Sequence, residues 1–215
     1  PLLYHYSTKI SFPIVNIAYQ CLTTFAANLF GFNVLSYQAL VTFNDQIKLS
    51  CPFTLYHHNF EDQCYKDIKL TNNPKLWDSI AFSLNKIIEF RKDIHFNEIY
   101  KNAISRIIVI SSGKDTGSKI KVENLVKELI KNKVVVDSII LNQTKKNESI
   151  KLCAISHLTG GYCYIPENIS NAISIIEQGS FIKIDDRLKI IRPLISMDFP
   201  SQLTISIPVV FGSII

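Results

Sequence analysis

Apolar positions along the chain alternate between helical stripes and short continuous runs. Val15, Ala18, Tyr19, Leu22, Phe25, Ala26 and Leu29 recur at three-and-four spacing, with Ser11 as N-cap near Pro13 and Gly31 past the end, which predicts a first helix. Tyr37 to Phe43 is rich in strand formers. Asn44-Asp45 is turn chemistry and Ile47 to Leu49 a short partner, the pattern of a hairpin. Residues 50–73 show no clear period. Leu76, Ile80, Leu84, Ile87 and Ile88 predict a second helix, brought to a close by Arg91 to Phe96. Arg106 to Ile110 is a β-branched run fit for a strand buried on both faces. The polar loop Ser111 to Gly117 then feeds a third helix with Val122, Leu125, Val126, Leu129 and Ile130 inward. Val134 to Leu141 is another buried run, Ile150, Cys153, Ala154, His157 and Leu158 a fourth helical stripe, Tyr162 to Ile165 a short strand, and Ile169, Ala172, Ile173 and Ile176 a fifth helix.

Strands alternating with helices of this length predict an α/β chain of the doubly wound, Rossmann-like class. Its mostly parallel sheet is covered by helices on both faces and carries one antiparallel edge strand. Ligands of such sheets sit at the carboxyl ends of the strands, so the loops after Tyr4, after Leu70 and after Ile110 are the ones to watch. From about residue 184 the pattern changes: Leu188 to Ile195 and Leu203 to Val210 read as strands without an intervening helix. The expected organisation is one domain over residues 1–183 and a β-rich extension, or the start of a second domain, over 184–215. Leu2-Leu3-Tyr4 reads as mid-strand and Pro1 stands where Met would, so the N-terminus is expected to cut into the first strand.

Composition changes this picture little. Hydrophobic residues make 47% and charged residues 19% of the 215, which excludes disordered, collagenous and coiled-coil chains. Lys plus Arg number 23 against 18 acids, but the excess is scattered and never interleaved with aromatics, so nucleic acid is not expected as a partner. Neither a secretory leader nor a membrane-spanning run is visible. Five widely spaced cysteines with no Cys-x-x-Cys pair fit a reducing compartment, hence a cytoplasmic location. Three glycosylation-type triplets, at Asn142, Asn147 and Asn168, are expected by chance in so Asn-rich a chain.

Several constellations have ordinary readings. Cys51, His57, His58 and Cys64 match no usual zinc spacing, and a surface loop with two free thiols is expected. Gly113 to Lys119 has phosphate-loop ingredients without the phosphate-loop register. Ser111-Ser112-Gly113 has no preceding Gly to form a nucleophile elbow. His157 reads as a core histidine, Cys153 and Cys163 as small buried apolar residues, and Trp77 as core or as a contact anchor.

Arg106-Ile-Ile-Val-Ile-Ser-Ser-Gly-Lys-Asp-Thr-Gly-Ser118, followed by Val134 to Leu141 and His157-Leu-Thr-Gly-Gly-Tyr-Cys-Tyr164, resembles the von Willebrand factor type A family in order and spacing. Ala39 to Asp45 resembles the family's second long strand with its hairpin, and Leu2 to Lys9 falls where the first strand and its metal loop belong. In look the chain resembles intracellular members from unicellular eukaryotes, some joined to ubiquitin-conjugating domains.

The resemblance implies a divalent cation held by an Asp-x-Ser-x-Ser loop, a Thr and an Asp. Carried over, those positions are His5, Ser7, Lys9, Pro74 and Ser112, a degenerate set without either carboxylate. A hard cation needs that negative charge to offset dehydration, so no metal is expected. The Lys9 ammonium is expected to stand where the ion would. Asp78 and Asp115 are expected to cap or brace the second and third helices respectively. Together these imply a non-catalytic module that binds a protein partner, not an enzyme, through a face of His5, Ser7, Lys9, Thr71, Trp77, Ser112, Lys114 and Asp115. The alternatives are an adhesion module whose Mg or Mn is held by replacement ligands such as Thr71 and Asp115, and the partner-selecting domain of a longer ubiquitin-conjugation-pathway protein.

Overall fold

A computed structural model describes residues 14–31, 36–68, 73–92, 104–141 and 146–181. The first strand and its loop with His5, Ser7 and Lys9, the position of Thr71, and the extension from residue 184 onward lie outside the described residues. In chain order the elements are α1 (Ile14–Gly31), β1 (Gln38–Phe43), β2 (Ile47–Thr54), α2 (His57–Asp67), α3 (Leu76–Arg91), β3 (Ser105–Ser111), α4 (Val122–Lys131), β4 (Val134–Ile140), α5 (Lys146–Thr159), β5 (Cys163–Tyr164) and α6 (Ile169–Phe181).

The three later strands form a parallel sheet in the order β3-β4-β5, and β1 pairs with β2 as an antiparallel hairpin. Ser105 to Ser111 runs in unbroken register with Val134 to Ile140. Because strand side chains alternate, Ile107 and Val109 of β3 and Val134, Val136 and Ile140 of β4 face a core filled by α3, α4 and α5. Ile108, Ile110, Ile139 and Leu141 face the other way, onto Cys21 of α1 and Ala172 and Ile176 of α6. The result is the expected sheet with helices on both faces. Each fully buried aliphatic here contributes about 1.5–3 kcal/mol relative to exposure. A third cluster, Ala26, Leu40, Cys51, Phe60 and Cys64, joins α1 and α2 to the hairpin. Among the described residues no helix is long and apolar enough to cross a membrane.

Five local expectations need correction. The stretch without a period holds the second half of β2 and the whole of α2. Pro52 has no N–H to give, and it sits where the hairpin register slips between Leu40↔Cys51 and Gln38↔Thr54. In α2 only Phe60 and Cys64, one turn apart, are buried, so the stripe is too thin to register as a period; the two thiols are buried in that seam, not in a surface loop. In α4, Leu125, Val126 and Leu129 point inward but Ile130 is 44% exposed.

In α5 the buried face is Ser149, Leu152, Ile155, Ser156 and Thr159, with Ile150 exposed and Cys153 and Leu158 packed at the edge of the core, so the predicted stripe is offset from the buried face. The hydroxyls are satisfied in place: the Ser156 and Ser138 Oγ atoms lie 2.8 Å apart. Thr159 Oγ1 donates back to its own helix and accepts from Val136 N at 3.0 Å. Finally, Cys153 and Cys163 are not separate apolar residues but are bonded to each other, Cα atoms 5.0 Å apart. The turn at Thr159-Gly160-Gly161 folds β5 back alongside α5 and brings the two together.

Candidate partner-binding face

The carboxyl ends of β3 and β4 are tied by Leu141 N donating to Ser111 O at 2.9 Å. Beyond Ser111 the chain runs through Ser112, Gly113 and Lys114 into a loop that ends at α4. Gly113 has φ +82°, and a Cβ there would come within 2.8 Å of Ser149, so its glycine serves close packing on α5, not a phosphate cradle.

The loop is fixed to the start of α3 by a crossed pair of carboxylates. Lys75, at the N-cap, gives no side-chain bond to its own helix. The orphan first-turn amides are instead met from the loop: Leu76 N donates to Asp115 Oδ1 at 2.7 Å, while Trp77 N and Asp78 N donate to Ser118 Oγ at 3.0 and 3.1 Å. Ser118 Oγ in turn donates to Asp115 Oδ1 at 2.5 Å. In the opposite direction Asp78 accepts from Lys119 N and Ile120 N, each at 3.0 Å, and Thr116 N donates to Pro74 O at 3.0 Å. Asp115 therefore caps the second predicted helix and Asp78 braces the approach to the third, the reverse of the expected assignment.

Of the expected face, Ser112 and Lys114 are exposed and Asp115 is partly buried. Trp77 is only 7% exposed and belongs to the main core, so it offers a partner no surface. Thr116, Gly117 and Lys119 are exposed beside Ser112 and Lys114. Of the five carried-over metal positions, Pro74 and Ser112 are described: one has no side-chain donor and the other is a neutral hydroxyl. Asp115, the nearby stand-in, already accepts bonds on both oxygens. Among the described residues the donors do not fit a divalent cation, and no group of three His, Cys, Asp or Glu residues gathers as a ligand set. Cys51 and Cys64 lie in the α1–α2–hairpin interior and His57 stacks on Phe30, so they form no zinc site. His157 is partly buried on α5, and that burial lowers its pKa. Asn168 caps α6, its Oδ1 accepting from Asn171 N at 2.8 Å.

Sequence reading missed a buried network on the opposite face of the sheet. Arg106 Nε bonds Asp137 Oδ2, Arg106 Nη1 donates to Gly179 O of α6 at 3.0 Å, and the guanidinium lies 5.2 Å from the Phe25 ring centroid of α1. Asp137, 1% exposed, also accepts from Tyr162 N at 2.7 Å. This explains the Thr-Gly-Gly turn. Gly160 has φ +83°, and a Cβ on Gly161 would lie 2.0 Å from Val136 O and 2.8 Å from Asp137 Oδ1. The available signal was the one charged residue, Asp137, inside a run that is apolar but for Ser138, since a buried charge requires a partner.

A parallel sheet clad on both faces, an antiparallel hairpin and a braced loop at the strand ends define a doubly wound α/β domain. The chain has the von Willebrand factor type A fold. It is similar to the von Willebrand factor type A protein from Catenulispora acidiphila, with 11% identity and TM-score 0.60 over 77% of this chain and 37% of that one. It is also similar to the SpRpn10 VWA domain, with 15% identity and TM-score 0.55 over 74% and 82%. A third likeness is to the conserved hypothetical protein BatB from Bacteroides thetaiotaomicron, with 11% identity and TM-score 0.58 over 76% and 85%. The chain thus spans little more than a third of the Catenulispora protein and most of the other two. No family model and no curated protein sequence matches it.

Proposed function

We propose that this chain is a non-catalytic protein-interaction module that works without the metal of its fold family. It engages its partner through the strand-end face carrying Ser112, Lys114, Thr116 and Lys119. The observation that supports this is the crossed brace. Asp78 spends its oxygens on amides of the loop, and Asp115 spends one on the start of α3 and the other on Ser118 N of its own loop, which presents the loop as a rigid platform in place of a ligand set. A preorganised loop loses less conformational entropy on binding. The reading carries a cytoplasmic location with it.

Two measurements test it. Calorimetric titration with magnesium and manganese should give no heat, and chelator should leave the thermal midpoint unmoved; saturable binding that raises the midpoint would overturn metal independence. A photo-crosslinker placed at Ser112 or Thr116 in the living cell should capture one protein, and one placed at Glu128 on the outer side of α4 should not. Equal capture from both places would overturn the assignment of the face.

A further inference from the structure

The five cysteines fall into two kinds. Cys21, Cys51 and Cys64 are buried free thiols. Burial pushes Cys21 up to about 11 and Cys64 up to about 12, and raises Cys51 as well, so they stay protonated and unreactive. Cys153 and Cys163 are bonded, only partly buried, and sit at the rim of the main core where β5 forms the sheet edge.

Four hydrogen bonds anchor the turn before Cys163 without involving the bridge. Gly160 N donates to His157 O at 3.1 Å, Gly161 N to Ser156 O at 2.8 Å, Tyr162 N to Asp137 Oδ1 at 2.7 Å, and Ser138 N to Tyr162 O at 2.9 Å. Beyond Tyr162, β5 is two residues long; among the described residues its backbone pairs with β4 through Ser138↔Cys163 and Ile139↔Tyr164, and the Tyr164 side chain packs against the Ile139–Ala172–Ile176 cluster. The bridge therefore adds a covalent tie to α5 at the last part of the edge strand, while the turn and β4 are held by hydrogen bonds of their own.

We propose that Cys153–Cys163 is a thiol–disulfide exchange site whose substrate is a dithiol reductant, and that its reduction frees the end of β5 without unfolding the domain. One thiolate of the reductant attacks a sulfur of the bridge, forming a mixed disulfide and expelling the other cysteine as thiolate. The second reductant thiolate then closes its own disulfide and releases the first cysteine. The protein gains two electrons and, on protonation, two protons, and the reductant leaves oxidised. A reducing compartment would hold the strand end free, and oxidising conditions would lock it beside the strand-end face.

The test uses the whole chain and dithiothreitol. Purified without reductant, then denatured and alkylated, it should take up label on three of its five cysteines, and on all five after exposure to dithiothreitol under native conditions. Hydrogen exchange of the reduced chain should be about tenfold faster over residues 163–165 and unchanged at Tyr162 and along β4. Cys153→Ser/Cys163→Ser should show the reduced pattern without reductant and no response to it. Five labels without reductant, a bridge that opens only in denaturant, or faster exchange spreading through β4 and α5 would each overturn the proposal.

Discussion

Asp137 and Asp115 make the same move in opposite surroundings. Each carboxylate reaches across the fold to accept a backbone amide from a distant segment, Tyr162 N in one case and Leu76 N in the other. Asp137 does so deep between the sheet and helices α1 and α6, with Arg106 as counter-charge. Asp115 does so at the rim with no cation bonded to it among the described residues, its charge met by amides at a helix start and the Ser118 hydroxyl. In the interior, removing a partner strands a charge; at the rim, water can replace one. The buried network should therefore govern global stability and the rim network local order.

The largest effect tests that division directly. Arg106→Met leaves Asp137 buried without its cation and should lower unfolding stability by about 3–5 kcal/mol, read from urea melts of the chain. Adding Asp137→Asn, which keeps an acceptor for Tyr162 N, should restore at least half of the loss. A cost below about 1 kcal/mol for the single change would place the pair among surface ion pairs and erase the contrast.

The two networks also differ in how far they could be read from residues alone. Helices α3 and α4 were legible because their buried faces are apolar at regular spacing. Helix α2 was not, having only Phe60 and Cys64 inside. Helix α5 misled because Ser156 and Thr159 on its buried side mate with β4 through hydroxyls, while of the predicted stripe Ile150 is exposed and Cys153 and Leu158 are only partly buried. Asp78 and Asp115 were recognised as bracing residues, yet which helix each serves depends on bonds spanning 39 to 42 positions, invisible to local pattern. Arg106 and Asp137 sat inside runs read simply as strands, and the pairing of Cys153 with Cys163 likewise follows from the fold of the turn between them.

At the rim the expected costs are smaller. Asp115→Ala removes a helix cap supplied from outside the helix and should cost about 1 kcal/mol. Its signature should be faster exchange at the Leu76 and Trp77 amides with β4 unchanged. If exchange instead rises throughout the sheet, the rim brace is a global determinant and the comparison fails.

The smallest effect comes from Asp78→Asn. The amide oxygen can still accept from Lys119 N or Ile120 N, though not with a full charge, so the loss should be about 0.5 kcal/mol, near the limit of a melt. The sensitive readout is coupling. Asp78 and Asp115 fasten the same loop to the same helix start in opposite directions, so once Asp115 has gone Asp78 is the remaining carboxylate tie, beside the Ser118 and Thr116 bonds. The second substitution should then cost more in the Asp115→Ala background than in the native chain, a coupling that a double-mutant cycle isolates. Strict additivity would mean that the two carboxylates hold independent pieces of backbone, and that the platform beneath Ser112 and Lys114 is not one rigid unit.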